Sequence, residues 1–331
     1  MAYCLLTGVT GLVGGYLLKQ LMNHDPRVAV VVRPTRLESA SQRVDNVMRC
    51  WEDLVGHCLP RPVVLSGELS RSKLGLDESS RTWISNNCDT ILHNAASMRF
   101  VEDKKSGEPF RTNADGMKHV LDICRECGIR KFHHVSTAYI CGLRTGRVLE
   151  SELDVGQQNG NVYEESKLAA EKAVRAADFL EQLTIYRPAS VVGDSRSGFT
   201  TSSHGFYLPL QLAHAIAEHV PVKMMGEQFF KMLELDGTEG KNFVPVDWLA
   251  DAITHLFTHP EYHGKTYHLA SHAAVTVRLI QETIQEAIEK YTDRRHARTP
   301  SEERWKEFET QYRKYMEIYR SHWRNDPTFD R

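Results

Sequence analysis

The chain has 331 residues, 41% hydrophobic and 25% charged, with a formal net charge of −2; it is long enough for one large or two closely joined globular domains and too evenly charged for an electrostatic grip on nucleic acid. No apolar stretch approaches the ~20 residues that span a bilayer, and the first apolar run starts too close to Met1 to leave room for a signal peptide. Its seven cysteines are scattered, and Cys124-Arg125-Glu126-Cys127 has no second pair at metal-site spacing, so the expectation is a soluble cytoplasmic protein with reduced thiols and no metal.

In chain order, the first apolar run, Tyr3-Cys4-Leu5-Leu6, reads as a strand. It runs into Thr7-Gly8-Val9-Thr10-Gly11-Leu12-Val13-Gly14 and then into a helix from Tyr16 to Met22. A strand, a glycine turn and a helix N-terminus offer backbone N–H donors and the positive end of a helix dipole to a pyrophosphate, and a Cβ there would block its approach. A tight strand-to-helix turn also wants glycine when no ligand comes, so the turn alone leaves both readings open. Later strands are read at Val28–Val32, Pro62–Leu65, Thr90–His93, Phe132–Val135 and Leu183–Tyr186. Apolar runs of this kind suit a parallel sheet covered on both faces, hence a doubly wound, Rossmann-type α/β fold. The alternation stops near Ser195. Residues 1–194 are therefore expected to form the dinucleotide-binding domain, with 242–257 returning to it, and 195–241 with 258–331 a smaller, mostly helical substrate region.

A second constellation lies downstream. Tyr163 and Lys167 are four apart, so on a helix they share one face and can act on one oxygen. Thr137 ends the apolar stretch before them. A free phenol titrates near pH ~10, and lowering it by ~2–3 units takes roughly what one cation ~4 Å away supplies at an effective dielectric of ~20. Lys167 is expected to be that cation, Thr137 to bond the substrate oxygen and Tyr163 to donate the proton. The alternative for the Tyr–Lys pair is two ordinary helix-surface residues.

Taken together, the glycine turn, Thr137 and Tyr163-Glu164-Glu165-Ser166-Lys167 resemble the extended short-chain dehydrogenases. Further segments narrow the resemblance to the thioester reductase and fatty acyl-CoA reductase branch: Arg33-Pro34-Thr35-Arg36, Ser66-Gly67-Glu68-Leu69, His93-Asn94-Ala95-Ala96, Thr112-Asn113-Ala114-Asp115-Gly116, Arg187-Pro188-Ala189-Ser190 and Asn242-Phe243-Val244-Pro245. The resemblance covers about Ala2 to Ala270. It implies NADPH-dependent reduction of an acyl thioester, carried on coenzyme A or a carrier protein, to an aldehyde, with onward reduction to an alcohol left open. It also implies cofactor contacts from Gly8, Thr10, Gly11, Leu12, Val13 and Gly14, from Glu68 and Leu69 beside the adenine, from Asn94, Ala95 and Ala96, from Tyr163 and Lys167, and from Pro188 beside the nicotinamide. Glu68 stands where the family usually has Asp. Asn113 matches the family's structural Asn.

Cofactor choice is argued from residue chemistry. An acid at the end of the second strand would bond the ribose hydroxyls of NAD, whereas this chain has Arg33 there and Arg36 close by, which suit the 2′-phosphate of NADP(H). The alternative is two solvated surface arginines. For the substrate, Phe199, His204, Phe206, Tyr207, Leu208, Leu210 and Phe229-Phe230 supply an apolar region, read as domain core before lipid groove. Near the end, Trp305, Phe308, Tyr312, Tyr315 and Tyr319 recur at helical spacing, a seam for packing on its own domain, for a homodimer contact or for a docked carrier protein. With no activation or carrier domain in view, a free-standing reductase is expected. Other functions stay open: an NADP-dependent reductase of free aldehydes or ketones, a sugar-nucleotide epimerase or dehydratase, and a catalytically silent dinucleotide sensor.

Overall fold

The computed structural model describes residues 2–201, 233–291 and 326–331, together with Tyr207, Phe230 and scattered single positions between 301 and 324. The first strand, β1 (Tyr3–Thr7), enters helix α1 (Leu12–His24) through the glycine turn. The five residues of β2 (Val28–Val32) are all buried, as a strand covered on both faces requires. Helix α2 (Ala40–Val55) begins at a capping box made by Ser39 and Gln42 and ends at Gly56, whose φ of 75° admits the left-handed cap. There follow β3 (Val63–Ser66), α3 (Glu78–Asn87), β4 (Cys88–His93), α4 (Gly116–Cys127) and β5 (Lys131–Val135). A short β6 (Arg147–Val148) precedes α5 (Val162–Arg175), β7 (Gln182–Pro188) and β8 (Ser190–Val192). The remainder comprises β9 (Gly240–Lys241), β10 (Phe243–Pro245), α6 (Val246–Thr258), β11 (Thr266–Leu269), β12 (Val275–Thr276), α7 (Val277–Tyr291) and β13 (Thr328–Phe329).

Seven strands form one parallel sheet in the order β11-β7-β5-β4-β1-β2-β3. Successive residues of β1 point to opposite faces, so Leu6 joins a core with Leu17, Val30, Met48, Trp51, Leu249 and Ile253, while Leu5 joins Val31, Ile91, Met117, Val120, Phe132 and Val174. Helix α6 thus packs on the α1 side of the sheet. The order reverses direction between β1 and β4, and the crevice above the carboxyl ends of those two strands is where this architecture admits ligands.

The structure differs from the sequence reading at the carboxy-terminal part. Residues 266–269, assigned above to the substrate region, are the edge strand of the main sheet. Beyond the sheet, the described residues hold three two-stranded pairings, β8 with β10, β9 with β12 and β6 with β13, beside α7. Two- and three-residue strands leave no period to read in a sequence. The seam from Trp305 to Tyr319 lies outside the described residues, as do His204, Phe206, Leu208, Leu210 and Phe229. No described helix is long and apolar enough to cross a membrane.

Candidate active site

A cleft of about 900 Å³ opens above the carboxyl ends of β1 and β4. One half is lined by Gly8, Thr10, Gly11, Leu12, Val13, Gly14, Arg33, Glu68, Leu69 and Asn94 to Ala96, the other by Thr137, Tyr163, Lys167 and Pro188 with Phe100, Tyr139 and Ser190. Gly8 sits at φ +82°, and a Cβ on it would lie 2.7 Å from the Ala95 nitrogen; one on Gly14 would lie 2.0 Å from the Gly8 carbonyl oxygen. Those two glycines are demanded by the fold. A Cβ on Gly11 would meet only the Gly8 oxygen, at 3.5 Å, so space there opens toward the cleft. Gly11 also caps α1 without a side-chain bond, and no acidic residue occupies the first turn. An uncapped helix N-terminus behind a Cβ-free turn fits a dinucleotide pyrophosphate.

These features give a paired expectation. Gly14→Ala costs about 1–3 kcal/mol of stability through overpacking, whereas Gly11→Ala leaves thermal unfolding nearly unchanged and weakens dinucleotide binding about tenfold. Melting curves and cofactor titrations of the two variants check this; a Gly14→Ala protein as stable as its parent contradicts it.

The floor of the cleft is tied together by polar groups. Thr7 at the end of β1 bonds His93 Nδ1 at 2.9 Å, and its oxygen accepts the backbone N–H of Asn94 and of Ala95, each at 3.2 Å. Burial, reinforced by Lys167, drives His93 down to about 3 and keeps its imidazole neutral. Asn113, in a π-helical turn, accepts Ser97 N–H at 2.7 Å and donates to Ser97 O and to Ser166 Oγ at 2.9 and 2.8 Å. The segment after β4 is thereby locked to α5, one turn of which carries both Tyr163 and Lys167.

Thr137, Tyr163 and Lys167 are 4%, 8% and 2% exposed. Tyr163 stacks on Phe100, with ring centroids 5.8 Å apart. Its phenol is pushed well above the ordinary range by burial and then by Glu164, while a hydrogen bond with Thr137 works in the opposite direction. Lys167 donates to the Val135 carbonyl at 2.8 Å, and burial lowers it to about 8, partly offset by Glu171. Without a bound ligand, burial is thus the largest influence on the Tyr163 phenol, and it favours the protonated form.

Arg36 is exposed and is not among the lining residues; Arg43 takes that place. Arg43 donates to the Arg33 carbonyl at 2.6 Å and to Thr10 Oγ1 at 3.3 Å. The Arg33 guanidinium stands 3.6 Å from Glu68, which also pairs with Arg71 at 3.2 Å. The Ser39/Gln42 capping box fixes the start of α2, the helix that carries Arg43. Of the apolar region, Phe199 is 45% exposed, Tyr207 accepts the Gly193 N–H, and Phe230 packs in a small core with Leu233, Val277, Ile280 and Trp323. Among the described residues no group of three or more His, Cys, Asp or Glu could hold a metal ion.

A family model described as male sterility protein, an NAD-binding domain, matches residues 6–253. The chain belongs to this family. It is an extended short-chain dehydrogenase/reductase of the thioester reductase branch, an oxidoreductase whose family takes a nicotinamide dinucleotide. The solved terminal R domain from the myxalamid PKS-NRPS biosynthetic pathway is similar, with a TM-score of 0.72 and 25% identity, covering 97% of this chain and 79% of that one. A dTDP-glucose 4,6-dehydratase from Streptomyces venezuelae with NAD bound shares the fold at a TM-score of 0.60 and 18% identity, covering 90% and 84%. Among curated proteins, an isonitrile lipopeptide synthase of Streptomyces coeruleorubidus is 27% identical over 262 residues, 76% of this chain and 16% of its own length. A nonribosomal peptide synthetase of Aspergillus flavus is 24% identical over 281 residues, 80% and 26%. The chain thus spans about a quarter or less of these two curated relatives.

Proposed function

We propose that this reductase uses NADPH to reduce an acyl thioester, held on a carrier protein or coenzyme A, to an aldehyde. The observation that carries the reading is the convergence of Thr137, Tyr163 and Lys167 on the cleft that the glycine turn opens into. The thioester part is supported by the likeness to the R domain of a PKS-NRPS pathway.

NADPH, when bound, supplies the hydride. Gly8, Thr10 and the turn Gly11–Gly14 would hold its pyrophosphate at the N-terminus of α1, Leu69 and Asn94 to Ala96 would serve the adenosine part, Pro188 the nicotinamide part, and Lys167 would bond a ribose hydroxyl. The Thr137 hydroxyl and the Tyr163 phenol hold the thioester carbonyl oxygen. As hydride reaches the carbonyl carbon, its π bond breaks onto oxygen, and Tyr163 delivers its proton there to give a hemithioacetal. Collapse re-forms the carbonyl, breaks the carbon–sulfur bond and releases aldehyde and thiol. Burial keeps the phenol in its protonated, donor form but disfavours the tyrosinate, so the transfer relies on the Lys167 cation to stabilise the charge left behind.

Cofactor choice rests on Arg33 and Arg43, which both line the cleft beside the glycine turn and whose positive charges suit a 2′-phosphate. Replacing either by Ala is expected to raise the NADPH KM about tenfold and leave that for NADH almost unchanged, as the loss of one charge-assisted hydrogen bond predicts. Equal losses with both cofactors would remove this assignment. The reaction itself is tested by supplying pantetheine and coenzyme A thioesters beside the matching free aldehydes and identifying products by mass spectrometry. Aldehyde or alcohol from the thioester supports the proposal; inert thioesters beside a reduced free aldehyde would replace it with reduction of free carbonyls.

A further inference from the structure

We propose that Asp326, near the end of the chain, is a positioning residue that sets the Thr137 hydroxyl through Tyr139. The inference rests on the reading above, in which Thr137 holds the substrate oxygen. The Asp326 side chain is only 4% exposed, and it pairs with Lys241, itself 1% exposed. Its other oxygen accepts the Tyr139 hydroxyl at 3.0 Å and the Asn242 N–H at 2.7 Å. The Tyr139 hydroxyl also meets Ser190 Oγ at 2.8 Å, and both residues line the cleft. Tyr139 lies in the one-turn helix Ala138–Cys141, and its N–H donates to Thr137 Oγ1 at 3.3 Å.

One carboxylate thus joins the turn that carries Thr137 to β9 and to Asn242 just after it. Neutralising Lys241 alone would not require its second oxygen to serve Tyr139 and Asn242. The segment bearing Asp326 is itself fixed. Asp326 N–H donates to Gly240 O at 2.9 Å, Thr328 N–H to Gly146 O and Asp330 N–H to Val148 O at 2.8 Å, and Phe329 stands edge-on to the Tyr139 ring with centroids 6.1 Å apart. The Thr137 hydroxyl donates to the Pro188 carbonyl at 3.4 Å while its oxygen accepts the Tyr139 N–H; a Tyr139 ring freed from the carboxylate lets the one-turn helix shift, which lengthens that N–H bond and loosens the Thr137 oxygen.

The test is a double-mutant cycle on the full chain. Tyr139→Phe, which removes one hydroxyl and keeps the ring, and Asp326→Asn are each combined with Thr137→Ala, and kcat, NADPH affinity and melting temperature are measured. Tyr139→Phe is expected to lower kcat about tenfold with NADPH affinity unchanged, and neither variant is expected to lower kcat further once Thr137 is Ala. A purely structural clamp would cost the same factor in both backgrounds and would overturn the proposal, as would Tyr139→Phe with full kcat. An unaltered protein that turns over no carbonyl substrate would sink both the proposed function and this inference, an outcome distinct from a fully additive cycle.

Discussion

Tyr163→Phe is expected to lower kcat with an acyl thioester about 10²–10⁴-fold, the range for removing a positioned general acid, while the affinity for NADPH changes little. The ring stays in place because it is held by Phe100 and by the α5 backbone, whose Tyr163 carbonyl accepts Ser166 Oγ at 2.8 Å. Only the proton donor is removed. Steady-state rates and cofactor titration of the variant check this together. Loss of NADPH binding in parallel with kcat would mean that Tyr163 acts by holding the cofactor, and a kcat within a few-fold of the parent would require another acid.

Glu171→Ala is expected to cost about 3–5 kcal/mol of stability, because it strands a guanidinium in the core. The Glu171 side chain is 0% and that of Arg187 1% exposed. Burial alone would raise Glu171, yet the hydrogen bonds and charge of Arg187 hold it below its ordinary value. Arg187 also donates to the carbonyls of Glu150 and Glu152, at 3.2 and 2.8 Å, and Ser136 donates to Glu171 at 2.7 Å. The pair therefore fixes the end of β5 one residue before Thr137. Urea unfolding of Glu171→Ala and of a Glu171→Met, Arg187→Met double variant measures the effect. The double variant is expected to recover much of the loss, since the cost lies in the unpaired charge. A loss below about 1 kcal/mol for Glu171→Ala would mean that water reaches Arg187.

What could be read in the sequence was local. Glycine spacing specified the turn, β2 was uniformly apolar, and Tyr163 with Lys167 shared a helix face by their separation alone. What could not be read depended on placement in space. That Arg43, and not Arg36, lines the cleft and reaches Thr10 depends on where α2 begins. Strand β11 is four residues long and sits behind a Gly264 turn, too short for a period to emerge. Asp326 and Lys241 are 85 positions apart, and nothing in either neighbourhood announces a pair. The burial that raises the Tyr163 phenol is likewise a matter of placement in space, which motif spacing does not report.

The most direct test of thioester reduction is isotopic. Purified protein is given NADPH deuterated at the transferring position and a pantetheine thioester, and the product is analysed by mass spectrometry. The account predicts an aldehyde with one deuterium on the former carbonyl carbon, or an alcohol with two, and one free thiol released per acyl group reduced. Free thiol without label in the acyl product would mean hydrolysis and would contradict hydride transfer to the thioester carbonyl.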